Sequence, residues 1–126
     1  MHRLLAVENL NVYYRSGASQ QHSVENVSFD IGVGEVLGLM GESGCGKTSI
    51  ALALLGLLSK ERADVSGSIQ FLGKELLAME QSALRAIRGT GISMVFQEPE
   101  IALNPVMRVR DQVAEVIRNC FEIVRF

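Results

Sequence analysis

Residues 38–50 read GLMGESGCGKTSI, and this stretch lies between an apolar run and a second run with helical character. Gly41, Gly46, Lys47 and Thr48 stand in the spacing Gly-x-x-x-x-Gly-Lys-Thr. A strand-like segment precedes them and a helix-like segment follows, which is the context that a phosphate-binding P-loop requires. The stretch therefore predicts a nucleotide site.

Each residue type in this loop has a physical reason. Glycines allow successive backbone N–H groups to point inward at phosphate oxygens. The first N–H groups of the following helix are unpaired and suit an anion. Lys47 supplies a point charge for the β- and γ-phosphates, and Thr48 supplies a hydroxyl for Mg²⁺. The predicted nucleotide contacts are Gly41, Glu42, Ser43, Gly44, Cys45, Gly46, Lys47, Thr48 and Ser49, with Glu42, Ser43 and Cys45 contributing mainly backbone.

Hydrophobic patterning predicts the remaining elements. Strands are expected at 4–7, 12–14, 24–31, 35–40, 66–72 and 91–97, and helices at 47–59, 75–88 and from 107 onward, with loops at 15–21 and 98–105. This order indicates an α/β fold with an N-terminal antiparallel β portion, and together with the P-loop motif it suggests a P-loop NTPase-like domain.

Composition limits the class of protein. The chain has 126 residues, of which 48% are apolar, and a formal charge of -2, which argues against a nucleic-acid partner. Its two cysteines have no metal-ligand spacing, and its longest apolar run is too short to cross a membrane. We therefore expect a cytoplasmic protein that reaches a membrane only through a partner.

Several motifs together resemble the ATP-binding subunits of ABC transporters. Residues 41–48 are similar to their Walker A loop, residues 94–99 (MVFQEP) to their Q-loop, and residues 26–35 (NVSFDIGVGE) to the strand and turn before the Walker A loop. Arg88-Gly89 and residues 102–105 (ALNP) resemble the dipeptide, oligopeptide and nickel importer subfamily. Glu100-Ile101 depart from the subfamily pattern, which affects loop detail.

The resemblance implies roles for two more side chains. Tyr14 falls where an aromatic ring stacks on adenine, with Tyr13 as the alternative, and Gln97 should reach Mg²⁺ and the attacking water. ATP and Mg²⁺ are thus the expected cofactors, with Thr48 and Gln97 as metal ligands. Lys47 and Gln97 would contribute to catalysis, although no catalytic set is complete.

The resemblance also implies that residues 1–126 form the N-terminal part of an ABC ATP-binding domain. The β portion would cover about 1–34, the P-loop α/β core about 35–98 and the start of a helical portion about 99–126. Complete members carry a Leu-Ser-Gly-Gly-Gln signature, an apolar strand ending in Asp with a catalytic Glu, and a switch His. None of these is found downstream of the Q-loop here, so we expect ATP binding without efficient hydrolysis. Sheet edges left unpaired by the missing strands predict marginal stability.

Expected partners are integral-membrane permease subunits, a second ATP-binding subunit and, indirectly, a solute-binding protein, with the chain peripheral on the inner face of the cell membrane. One alternative is a non-hydrolysing regulatory or degenerate nucleotide-binding module. A less favoured alternative is a P-loop GTPase, because residues 64–67 (DVSG) fit an Asp-x-x-Gly switch but no Asn-Lys-x-Asp guanine reader is present.

Overall fold

The computed structural model describes residues 3–120. The chain forms two compact units, one that ends at Leu84 and one that begins at Arg85. In chain order the elements are β1 (Arg3–Ser16), β2 (Ser19–Gly32), α1 (Lys47–Leu54), β3 (Ala63–Phe71), β4 (Lys74–Glu75), α2 (Gln81–Ile87), α3 (Pro99–Ala102) and α4 (Val109–Cys120).

The first unit is built on a four-stranded antiparallel sheet with the order β2-β1-β3-β4. The predicted strands at 24–31 and 66–72 are confirmed within β2 and β3. The pieces predicted at 4–7 and 12–14 join into the single strand β1, and the predicted loop at 15–21 shrinks to a tight turn that contains Gly17. The antiparallel β portion is therefore present.

The pairing of β1 with β2 is interrupted by register shifts. Asn9 and Asn26 have φ angles of +49° and +48°, in the left-handed region that asparagine tolerates better than most residues. The Asn9 N–H donates to Ser28 Oγ, and the Asn26 N–H donates to Asn11 Oδ1, each at 2.8–2.9 Å. These side chains replace ladder bonds that the register shifts interrupt, as expected at β-bulges.

The core lies between the sheet and α1. Leu10, Val12 and Ile69 are fully buried within the sheet, and Ile50 and Ala53 of α1 are also buried. α1 contacts both β1 and β2. The hairpin therefore forms the surface on which the helix of the P-loop rests.

Two predicted strands are wrong. Residues 35–40 form no strand, and Val36 and Met40 are 95% and 93% exposed. Residues 91–97 form only an isolated parallel bridge between Arg88 and Ile92. A strand covered on both faces needs hydrogen-bonded neighbours, and none of the strands within residues 3–120 pairs with either segment. The α/β detail of the predicted fold is thus not found in the described residues.

The helix bounds also need correction. The helix predicted at 47–59 ends at Leu54, because Gly56 adopts a φ of +61° and closes the turn. Within the range 75–88 only Gln81–Ile87 is helical, since Glu75 belongs to β4. The predicted loop at 98–105 contains the single turn α3. The helix predicted from 107 onward begins at Val109, and its continuation through 121–126 lies outside the described residues.

Candidate functional site

The P-loop turns into α1 at Gly46, which has a φ of +101° and directly precedes the first helical residue. A Cβ at this position would lie 2.3 Å from the carbonyl oxygen of Ser23 in β2. Contacts that short are sterically forbidden, so only glycine lets the loop approach the hairpin this closely. The second glycine of the motif therefore seats the helix on the sheet.

Lys47 folds back over the loop. Its Nζ donates to the carbonyl oxygens of Gly41 and Glu42, both at 2.6 Å, and lies 3.4 Å from the Sγ of Cys45. These bonds hold the ammonium group against the loop without neutralising it, because carbonyl oxygens carry only partial charge. The lysine is thereby positioned as a cationic group of an anion site.

Backbone donors complete the site. The N–H groups of Gly44 and Gly46 donate no hydrogen bond to any described residue, while that of Cys45 donates to Glu42. The N–H groups in the first turn of α1 also lack intrahelical acceptors. Free amides, a helix N-terminus and one ammonium group fit a phosphate chain. The exposed side chain of Thr48 offers a hydroxyl that suits Mg²⁺.

A cluster of three hydroxyl groups, those of Tyr14, Ser23 and Ser49, connects α1 to the sheet. Ser49 is buried, and its Oγ lies 2.9 Å from the hydroxyl of Tyr14 and 2.9 Å from the Oγ of Ser23. The cluster ties the helix to both strands of the hairpin. Tyr14, the residue expected to stack on adenine, thus lies beside the P-loop helix. Tyr13, the alternative, stacks instead on His22 with ring centroids 4.0 Å apart.

Ser23 is the residue of this site that sequence reasoning missed. Its carbonyl oxygen faces Gly46 and its hydroxyl bonds Ser49. No motif spacing marks this residue, because it reaches the site through the pairing of β1 with β2. A closely packed glycine is a signal that some backbone atom lies nearby, but it does not identify that atom.

Two other predicted features have different structural settings. Gln97, which the Q-loop resemblance singles out, is exposed and belongs to the second unit. Asp64 lies inside β3 and is hydrogen bonded to Arg15, so the segment 64–67 is part of a paired strand rather than a switch loop. Within residues 3–120 no group of three or more His, Cys, Asp or Glu side chains is placed to hold a metal ion.

A family model described as ABC transporter matches residues 24–124. This range includes the P-loop and most of the chain. The chain belongs to the ABC transporter family. In the part of the chain that the structure describes, no helix is both long enough and apolar enough to cross a membrane.

Several curated relatives of the chain are named for peptide transport. It is 41% identical over 118 residues to the dipeptide transport ATP-binding protein DppD of Bacillus subtilis (strain 168), covering 93% of this chain and 35% of that protein. It is 41% identical to the oligopeptide transport ATP-binding protein OppD of Haemophilus influenzae, covering 94% of this chain and 36% of that protein.

Another relative is the peptidoglycan transport ATP-binding protein YejF of Agrobacterium fabrum, which is 44% identical over 115 residues, covering 90% of this chain and 21% of that protein. The chain thus spans between about a fifth and about a third of the length of these three relatives.

Proposed function

We propose that this chain is the ATP- and Mg²⁺-binding portion of an ABC importer ATPase subunit that energises uptake of peptides or nickel across the cytoplasmic membrane. The observation that carries the proposal is the geometry around Lys47, whose ammonium group is held by two carbonyl oxygens above a loop with free amide donors. The similarity to relatives named for dipeptide and oligopeptide transport favours the peptide class.

We propose the following roles for the residues of the site. The amides of the loop and Lys47 bind the phosphate chain, Thr48 ligates Mg²⁺ and the ring of Tyr14 faces the base. The Q-loop resemblance gives Gln97 a role at Mg²⁺ in the complete site. When bound, Mg²⁺ would neutralise part of the charge of the phosphate chain. The residues of this chain hold and orient the nucleotide.

We further propose that the chain binds ATP without efficient hydrolysis. Phosphoryl transfer to water needs a residue that positions the water and a carboxylate that holds Mg²⁺ from a second side. No signature, acidic strand or switch histidine follows the Q-loop in the 126 residues. Permease subunits and a second ATP-binding subunit would complete the machinery at the inner face of the membrane, with a solute-binding protein acting through the permease.

Isothermal titration calorimetry tests the nucleotide site. The wild-type chain should bind ATP with an affinity that falls when EDTA removes Mg²⁺. Lys47→Ala should weaken binding at least about tenfold, or about 1.4 kcal/mol. Lys74→Ala, which alters an exposed lysine of β4, is the matched control and should bind as the wild type does. Absence of Mg²⁺-dependent ATP binding by folded wild-type protein would exclude the proposal.

A phosphate-release assay tests hydrolysis separately. We expect no turnover above the Lys47→Ala background. Turnover that Lys47→Ala abolishes would contradict the second part of the proposal and leave the first part standing. A regulatory nucleotide-binding module would be favoured instead by a different combination of results. The chain would bind ATP without turnover, a membrane subunit would copurify stably with it, and ATP would not release that subunit.

A further inference from the structure

A cavity of about 440 Å³ lies in the first unit, beyond the C-terminal end of α1 and between β3 and the segment 76–84. Its volume falls in the range of small-molecule sites, roughly 300–1,000 Å³. The P-loop residues do not line it. The cavity is therefore separate from the candidate nucleotide site.

Part of the wall of this cavity is formed by buried apolar side chains, and other lining residues are polar or charged. Ala53, Ala63, Leu76 and Leu84 line it and are themselves buried, so their positions are set by packing around the cavity. Two of the four are alanines, and their small side chains leave the space open. Met79 also lines the cavity and provides a spectroscopic probe.

The charged groups at the cavity leave one positive charge unmatched. Arg15 Nε donates to Asp64 Oδ2 at 2.9 Å, and this hydrogen bond and the carboxylate charge raise the pKa of Arg15. These two lining residues therefore neutralise each other. Lys60, the remaining charged lining residue, forms no ion pair with any described residue and is exposed.

Two carbonyl groups at the end of α1 are already paired within the chain. The Leu57 N–H donates to the Leu52 carbonyl oxygen at 2.9 Å, and the Gly56 N–H donates to the Ala53 carbonyl oxygen at 3.0 Å. This pair of bonds is a Schellman closure, which satisfies carbonyl groups that a helix end otherwise presents. The cavity lining thus combines buried apolar side chains with one cationic side chain that has no ion-pair partner among the described residues.

We propose that this cavity binds a small molecule with an apolar body and a single carboxylate. The apolar body replaces water against the alanine and leucine walls, and the carboxylate pairs with the Lys60 ammonium group. The inference does not depend on the proposed ATP binding.

The test uses the full chain with ¹³C-methyl-labelled methionine and octanoate as the probe. Octanoate should shift the Met79 methyl resonance saturably and leave Met40, which is 93% exposed, unshifted at the same concentrations. 1-Octanol, which has the same chain length without the charge, should bind at least tenfold more weakly. Lys60→Met should reduce the octanoate affinity to that of octanol, and Lys74→Met should not change it.

Ala63→Leu tests the cavity volume, because a larger side chain there should occupy the space and abolish the Met79 shift. If that variant does not fold, the comparison of octanoate with octanol still decides the charge requirement. Equal shifts at Met79 and Met40, or equal affinities for the two probes, would overturn the proposal.

Discussion

Replacement of Gly46 by alanine tests whether the P-loop is anchored on the hairpin. The substitution has two effects. A φ of +101° destabilises the folded state by roughly 1–2 kcal/mol for any residue with a Cβ. Alanine also restricts the unfolded chain, which offsets about 0.4–1 kcal/mol of this cost. In addition, the new Cβ would lie 2.3 Å from the Ser23 carbonyl oxygen.

The second effect can be estimated from the structure. The Cβ and the oxygen would have to separate by about 0.7 Å to reach 3.0 Å, below which real Cβ contacts are essentially never found. Val24 Cγ2, at 3.1 Å, restricts movement on the same side. Overpacking of this kind typically destabilises by about 1–3 kcal/mol, because backbone rather than a flexible side chain must move.

Gly34→Ala is the matched control. Gly34 has a φ of +77° in the turn that follows β2, and a Cβ added there would have no neighbour within 4 Å. It therefore incurs the conformational cost without the clash. In urea unfolding followed by circular dichroism, Gly46→Ala should lose about 1–3 kcal/mol more than Gly34→Ala. Equal losses in the two variants would refute the close approach of Gly46 to β2.

Three further predictions concern the sheet and the exposed segment. Tyr14→Phe should lower the free energy of unfolding by about 0.5–1.5 kcal/mol, because it removes a part-buried hydrogen bond to α1, whereas Tyr13→Phe leaves that bond intact and should cost less. Glu75 is partly buried, which acts to raise its pKa, but hydrogen bonds from one hydroxyl and two backbone N–H groups outweigh burial and lower the pKa below the usual 4.5. Its carboxylate therefore stabilises the fold above about pH 4.5, and this contribution is lost as the pH falls through the lowered folded-state pKa. The free energy of unfolding of the wild type should thus decline more steeply on acidification than that of Glu75→Gln. Parallel pH profiles of the two proteins would contradict this prediction. Val36→Thr should change the free energy of unfolding by less than about 0.5 kcal/mol, since Val36 is 95% exposed. Leu10→Ala, in the core, should lower it by about 2–5 kcal/mol. A large loss of stability in Val36→Thr would show that residues 35–40 are packed.

Local patterns predicted those parts of the fold whose partners are close in sequence. β1 and β2 pair across a tight turn, so the local pattern located strand residues on both sides of Gly17, although it made the loop too long and divided β1 into two pieces. The P-loop was recognisable for the same reason, since its glycines, Lys47 and the start of α1 are contiguous.

The errors share a different cause. Residues 35–40 are apolar enough for a buried strand, but a strand of that type exists only beside its neighbours, and apolar composition does not reveal whether they are present. Glu75 was assigned to a helix from periodicity. In the structure its carboxylate accepts hydrogen bonds from Ser68 and from the backbone of Ile69 and Leu77, which stabilises the β3–β4 turn. Tertiary hydrogen bonding here outweighs a helical pattern.

These contacts show that the candidate nucleotide site is anchored from one side. Gly46 and Ser49 connect the end of the P-loop to the hairpin through Ser23 and Tyr14. The segment before the loop, at 35–40, has no strand partner within residues 3–120. Phosphate recognition depends mainly on the amides and the ammonium group at the helix end, which is the anchored side. Positioning of an attacking water demands more, because groups on several elements must be fixed to within a fraction of an ångström. One-sided anchoring therefore provides a physical reason for the proposal that this chain binds ATP without efficient hydrolysis.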